Sequence, residues 1–154
     1  MEFETRLADR GRWRADACSA AMVLDLLGTK TVFLVVRECF YGTTRFEDFV
    51  ERIGVSAPAV SRALRQLESA DVIARTPYRE AGARTRDEYR LTAAGEDLLP
   101  VLLALVQWGD THLQDGRPPL RFVARDSGDE IRVCVTADHA REVDSDDIAI
   151  RAAR

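Results

Sequence analysis

The stretch TTRFEDFVERIGVSAPAVSRALRQLE, residues 43–68, constrains this chain more than any other. Two helical patterns meet across Gly54 and Val55. In the first, Phe46, Phe49, Val50 and Ile53 fall on one face, and Gly54 ends it. Thr44 and Glu47 have the spacing of a capping box at its start. In the second, Ser56 is placed to cap, and Pro58 falls in the first turn, where a missing N–H costs little. At about 100° per residue, Val60, Ala63, Leu64 and Leu67 gather on one side. Pro58, Arg62, Arg65 and Ser69 gather on the other, flanked by Ser61 and Gln66. The inner face must meet a core. The outer face carries two arginines among small and polar residues.

The flanking segments complete an order of elements. Met22, Val23, Leu26 and Leu27 follow helical spacing from Ser19, with a stop at Gly28. Thr29 is placed to cap a second helix through VFLVVRECFY to Gly42, apolar on most sides. After residue 70, VIART (72–76) and DEYRL (87–91) read as strands around an arginine-rich turn, PYREAGARTR. Thr92 then caps a long helix through LLPVLLALVQWGDTHL, which Pro100 is expected to bend. Three helices, a fourth joined by a two-residue link, and a β-hairpin are the order of a winged helix-turn-helix.

The expected fold is therefore mainly α with a small β component. An N-terminal arm spans 1–17, and the winged helix with its dimerisation helices spans 18–114. A small β appendage spans 119–152, beyond the Asp115-Gly-Arg-Pro-Pro linker. In the appendage, LRFVAR and EIRVCVT alternate around a DSGD turn, and DIAIRA supplies a third strand.

Charge supports a local rather than a bulk interaction with nucleic acid. The chain of 154 residues carries a net charge of −4, and its one lysine is Lys30. From Ser56 to Arg90, however, seven arginines face five acidic residues. Arginine supplies a planar fork for guanine or phosphate. The arginine-rich composition is also what a biased genome produces, and an exposed helix commonly carries arginines as a solvated face.

Other chemistries find little support. Cys18, Cys39 and Cys134 form no CxxC pair, which argues against a disulfide scaffold. Cys134, Asp138 and His139 make the only local cluster of metal-ligand types and lack a paired cysteine or histidine, so no metal or other cofactor is expected. His112 and His139 sit in no nucleophile motif, and no phosphate-binding glycine loop or HExxH occurs. No enzyme activity is expected. The charged N-terminus lacks a signal-peptide core, and no apolar run approaches the ~20 residues of a membrane span. The cytoplasm is the expected location, with no membrane partner.

The residues also carry a resemblance. Cys18…LDLLGTK…VVREC…TTRFEDF…GVSAPAVSRALRQLESADVIART…DEYRLTAAGEDLLPVLLALVQWG, about Cys18 to Gly109, resembles the HxlR-type winged-helix regulators of bacteria. Its specific parts are the Cys18-to-Lys30 spacing, the Arg45-Phe46 pair, the EYRLT strand and the LxPVLxAL…WG helix. Thr31 departs from the family's usual tryptophan, and Ala81-Gly82-Ala83 stands where a wing proline is usual. In related tails, cysteines tend to occupy the places of Ser127-Gly128 and Asp138-His139.

The resemblance implies a homodimeric DNA-binding transcriptional regulator; the expected target is an inverted repeat in double-stranded DNA and the expected outcome repression, with activation left open. Arg62 and Arg65 are expected to reach bases or phosphates, with Ser56, Ala59 and Ser61 permitting close approach. Arg84 and Arg86 are expected to act on the wing, and Arg45 on the backbone. It also places Cys18 where several members sense oxidants; a small residue buried near the dimer contact is the other reading. A small apolar ligand between the dimer helices and the bodies is the rival effector.

For the dimer interface, the candidates are Met22, Leu98, Leu102, Leu105 and Trp108. The long helix has two apolar stripes, Leu98-Leu102-Leu105 and Leu99-Leu103-Val106, and a helix apolar on two sides must bury both. A two-fold mate covers one, unless a larger monomer core does. The alternative function is a winged helix used for protein–protein contact without DNA binding.

Overall fold

A computed structural model of the chain describes residues 18–78, 86–115, 117–136 and 143–152, together with Thr5 and Asp9. Helix α1 (Ser19–Leu27) ends at Gly28, and α2 (Lys30–Phe40) begins after Thr29, whose side chain accepts from the Val32 N–H at 3.3 Å. The two helices meet at 86°. Then follow α3 (Phe46–Ile53), α4 (Ala57–Ser69), β1 (Ile73–Tyr78), β2 (Arg86–Leu91), α5 (Ala93–Glu96) and α6 (Leu99–His112). Strands β1 and β2 are antiparallel, with Ile73 opposite Leu91 and Tyr78 opposite Arg86.

Helix α2 is the hub, packed against α3, α4 and β2. Its Val35 and Val36 meet Phe49, Val60, Leu64, Leu67 and Ile73, all fully or almost fully buried. The apolar faces read from α3 and α4 thus point into one core. Burial of this kind supplies most of the driving force for folding. Gly54 makes the α3–α4 turn possible: its φ of 71° is left-handed, a region that favours glycine.

Two expected caps differ. Arg45, not Thr44, is the N-cap of α3, and no side chain caps that helix. Ser56 is the N-cap of α4 by position, but its carbonyl rather than its hydroxyl does the bonding, to the Ala59 and Val60 N–H groups. Thr44 instead ties the wing to the α2–α3 loop, its carbonyl accepting from the Tyr89 N–H at 2.8 Å.

The α2 interior holds a polar network within the expected apolar run. Glu38 is buried, accepts from Arg37 at 2.6 Å and from the Thr43 hydroxyl at 3.0 Å, and Arg52 donates to Thr43 at 2.7 Å. The network satisfies the carboxylate where an unpaired one would be costly.

The long helix after Thr92 is two helices. Thr92 caps α5, accepting from the Gly95 N–H at 3.1 Å. The chain breaks at Asp97 and Leu98, and Pro100 falls in the first turn of α6 instead of bending a continuous helix. Gly95 lies so close to β1 that an added Cβ would collide with the Val72 carbonyl oxygen.

In the C-terminal unit the first and third expected strands form, and EIRVCVT pairs only in part. Strand β3 (Leu120–Ala124) is antiparallel to β4 (Ile148–Ala152), the DIAIRA segment. EIRVCVT contributes one isolated bridge, Val123 to Glu130, and a bond from the Ile131 N–H to the Phe122 carbonyl. Further along it turns to α6. The Gln107 amide accepts from the Val133 N–H at 3.1 Å and donates to its carbonyl at 3.2 Å. Those are the backbone groups a ladder needs. The unit is also held to the body by Tyr41 against Phe122 (6.4 Å between centroids) and by Ser145 donating to Glu96 at 2.8 Å.

Candidate nucleic-acid interface

Helix α4 presents the outward face read from its periodicity. Its inner residues are buried, and Arg62 and Arg65 are exposed. Ser61 is half-buried between them and the body, and its hydroxyl accepts from the Arg65 guanidinium at 2.7 Å. Ala59 is half-buried and Ser56 exposed at the helix start. The first turn therefore offers a small-residue surface, and the first turns of a recognition helix are where base edges are met. Helix N-terminal N–H groups there suit a phosphate.

The hairpin stands beside this helix and is fixed to it. Arg75 of β1 reaches Glu68 of α4 at 3.2 Å and Asp87 of β2 at 3.6 Å. Arg75 thus joins α4 to both wing strands, a role that only the strand register reveals. Arg86 starts β2 and faces Glu47 of α3 at 3.5 Å, both side chains being more than half exposed. An exposed pair of this kind is weak and exchangeable, so Arg86 remains close to the surface while already holding a partner. Arg84 lies outside the described residues, as do Arg79 and the wing tip from Arg79 to Thr85. Arg45 is exposed at the start of α3, its backbone pairs with that of Glu88 in an isolated antiparallel β-bridge, and its guanidinium lies 4.9 Å from the Tyr78 ring centroid. The structure thus places Arg45 at the start of α3, Arg62 and Arg65 on the outer face of α4, and Arg86 at the tip end of β2. It also sets Glu47, Glu68, Asp87 and Glu88 among them.

The dimer candidates separate into two groups. Met22, Leu105 and Trp108 are exposed, at 62%, 54% and 57%. Leu102 is 1% exposed and Leu98 packs against the main core, so both face their own protomer. The buried side of α6 is Leu102 with Leu103. The uncovered stripe is Val101, Leu105 and Trp108, which keeps Leu105 and Trp108 of the expected stripe and puts Val101 in place of Leu98 and Leu102.

The three cysteines occupy different environments. Cys18 is exposed at the N-cap of α1, and Cys134 is exposed. Burial, reinforced by Glu38 and Glu96, pushes the Cys39 thiol up to about 12. Cys39 is therefore an inert neutral core group at ordinary pH. Asp138 and His139 lie outside the described residues. No single described helix is long and apolar enough to cross a membrane.

This geometry agrees with what the chain is similar to. A family model, HxlR-like helix-turn-helix, matches residues 26–117. The chain belongs to the HxlR-like helix-turn-helix family. An uncharacterised HTH-type transcriptional regulator of Mycobacterium tuberculosis is 36% identical over 110 residues, 71% of this chain and 68% of the relative. Another, from Synechocystis, is 38% identical over 98 residues, 63% of this chain and 71% of its own. Among solved structures, PA1607, described as a transcription factor, superposes with a TM-score of 0.71 at 31% identity, covering 80% of this chain and 85% of its own. The redox regulator HypR in its oxidised form gives 0.55 at 26% identity, covering 62% of this chain and 97% of its own. HxlR-like proteins of this kind are DNA-binding transcriptional regulators rather than enzymes, and the winged-helix architecture with its small antiparallel sheets is theirs.

Proposed function

We propose that the protein binds an inverted-repeat operator as a homodimer and represses transcription there. The observation that carries this reading is the outward face of α4, with Arg62 and Arg65 exposed above a fully buried inner face and Arg65 braced on Ser61. Two such helices, related by a two-fold axis, fit successive major grooves about one helical turn apart. Arg62 and Arg65 reach guanine edges or phosphates, Ser56, Ala59 and Ser61 permit the approach, and Arg45 and Arg86 meet the backbone beside it. Arg84 belongs to the same basic wing by sequence. The uncovered apolar residues Met22, Leu105 and Trp108 supply the mate's contact.

Cys18 is the proposed signal site. Its exposed thiol sits at the head of α1, whose outer face includes Met22. Two Cys18 thiols, one per protomer, lose two protons and two electrons to an oxidant and form a disulfide, which alters the spacing of the recognition helices. A comparison of operator affinity with and without peroxide, in wild type and Cys18→Ser, checks this; an equal response in both contradicts it.

The operator reading is tested by selection from a random duplex pool. The wild type enriches an inverted repeat with half-sites about one turn apart, and the Arg62→Ala, Arg65→Ala double variant does not. A wild type that enriches no repeat overturns the proposal and favours a protein-contact module.

A further inference from the structure

The β3–β4 sheet sets two like charges against each other. Arg121 and Arg151 are Cα partners in the antiparallel register, so their side chains leave the same face. Like charges directly opposite destabilise a strand pair, and a two-stranded sheet has little stability in reserve. Both residues line a cleft of 920 Å³, together with Arg117 and Arg125. All four are exposed. Two carboxylates also line the cleft, Asp126 and Glu130, and the Arg121 charge acts on Glu130 beside that of Arg132. Glu130 is bridged by Arg132 at 2.9 Å, and Asp126 accepts from the Ser127 N–H at 2.7 Å. Arg125 donates through Nε to the Asp146 carbonyl at 2.8 Å, which orients its guanidinium without cancelling the charge. Among the described residues none of the four arginines forms an ion pair. In a chain of net charge −4, this cleft sets four arginines against two carboxylates, outside the winged helix.

We propose that this cleft is an anion site for a small phosphorylated ligand, clamped across the two strands by Arg121 and Arg151. Guanidinium forks match phosphate oxygens in paired hydrogen bonds. A bound phosphate lies between the opposed charges and turns their repulsion into attraction to a shared partner. The cleft is at the upper end of the ~300–1,000 Å³ typical of small-molecule sites. Pro118, Val123 and Ala152 add apolar wall for an organic group. A winged-helix regulator with such a site carries a ligand-responsive unit docked on α6 through Gln107 and Val133.

The test uses the full chain and inorganic pyrophosphate at constant ionic strength, by titration calorimetry and thermal melting. Wild type binds saturably at one site per protomer, and pyrophosphate raises its Tm. Arg121→Gln with Arg151→Gln weakens binding at least about tenfold, or ~1.4 kcal/mol. Arg151→Glu replaces repulsion with a cross-strand ion pair, so it abolishes binding while raising the Tm of the free protein. That gain separates a lost site from a lost fold. Arg62→Ala leaves pyrophosphate binding intact, which keeps this site distinct from the operator surface. Absence of saturation in the wild type, or equal binding by the double glutamine variant, overturns the proposal. So does loss of affinity for random-sequence duplex in that variant with no pyrophosphate binding by the wild type; the cleft would then be a contact to the DNA backbone.

Discussion

The Arg65 guanidinium donates to the Ser61 hydroxyl at 2.7 Å, one turn back along α4. Both lie on the surface proposed to meet DNA. The bond removes part of the rotamer freedom that a long side chain loses when it binds. In the proposed complex Ser61 therefore acts through Arg65 as well as by being small.

Replacing Ser61 by Ala keeps the small surface and removes the brace. Operator affinity should fall by roughly 0.5–1.5 kcal/mol, the net worth of one hydrogen bond, with Tm nearly unchanged. Arg65→Ala should cost about 1–3 kcal/mol. Fluorescence anisotropy on labelled operator, with the variants side by side, measures both. If Ser61→Ala leaves affinity unchanged while Arg65→Ala does not, the brace contributes nothing.

The proposed dimer surface makes a separate prediction. Leu105 is more than half exposed in the protomer, so Leu105→Glu leaves its folding intact. A charge at a desolvated apolar contact is strongly unfavourable. Sedimentation velocity should show monomer for the variant at concentrations where the wild type is a dimer. Identical sedimentation of the two proteins contradicts the placement of the interface on α6.

Cys39 gives the fold a pH dependence of known sign. Its thiol is held at about 12 in the folded chain against an ordinary value of 9.0. Below pH 9 it is neutral in both states and contributes no pH dependence. Between about 9 and 12 the unfolded chain loses the proton and the folded chain keeps it, so stability falls as pH rises. Urea midpoints measured from pH 8 to pH 10.5 should decline in wild type and decline less in Cys39→Ala. In native protein at pH 8, iodoacetamide should modify Cys18 and Cys134 and spare Cys39.

The parts legible in the sequence are those with a short-range cause. The bounds of α1, the Thr29 cap, the Gly54 turn and the inner face of α4 all follow from neighbours within a few residues. The wing strands follow too, one or two residues short at the tip end. The differences share another origin. Pro100 reads as interior to a helix because the apolar pattern runs on through it, but the capped turn at Thr92 ends first and the proline starts a new helix. β3 pairs with β4 across more than twenty residues, and Gln107 takes the Val133 backbone groups; no local pattern announces either contact. Glu38 looks like an interruption of an apolar run, and its partners Thr43 and Arg52 lie in the next loop and helix. The carboxylates facing Arg75 and Arg86 depend on strand register and on the fit of α3 to β2. On the interface itself, periodicity identifies Arg62 and Arg65, while the Arg75 tie between α4 and the wing needs three dimensions.

The central claim is that α4 enters DNA, and the salt dependence of binding tests it most directly. Affinity for duplex DNA from upstream of the protein's own gene should be measured at several salt concentrations, for wild type and for Arg62→Ala and Arg65→Ala. The wild type should bind with log K falling linearly in log salt. Each variant should either lower the slope by about 1, if its arginine meets phosphate, or lose about 1–3 kcal/mol of preference for the operator over unrelated duplex, if it meets a base. Binding by both variants with the wild-type affinity, slope and preference would contradict the account.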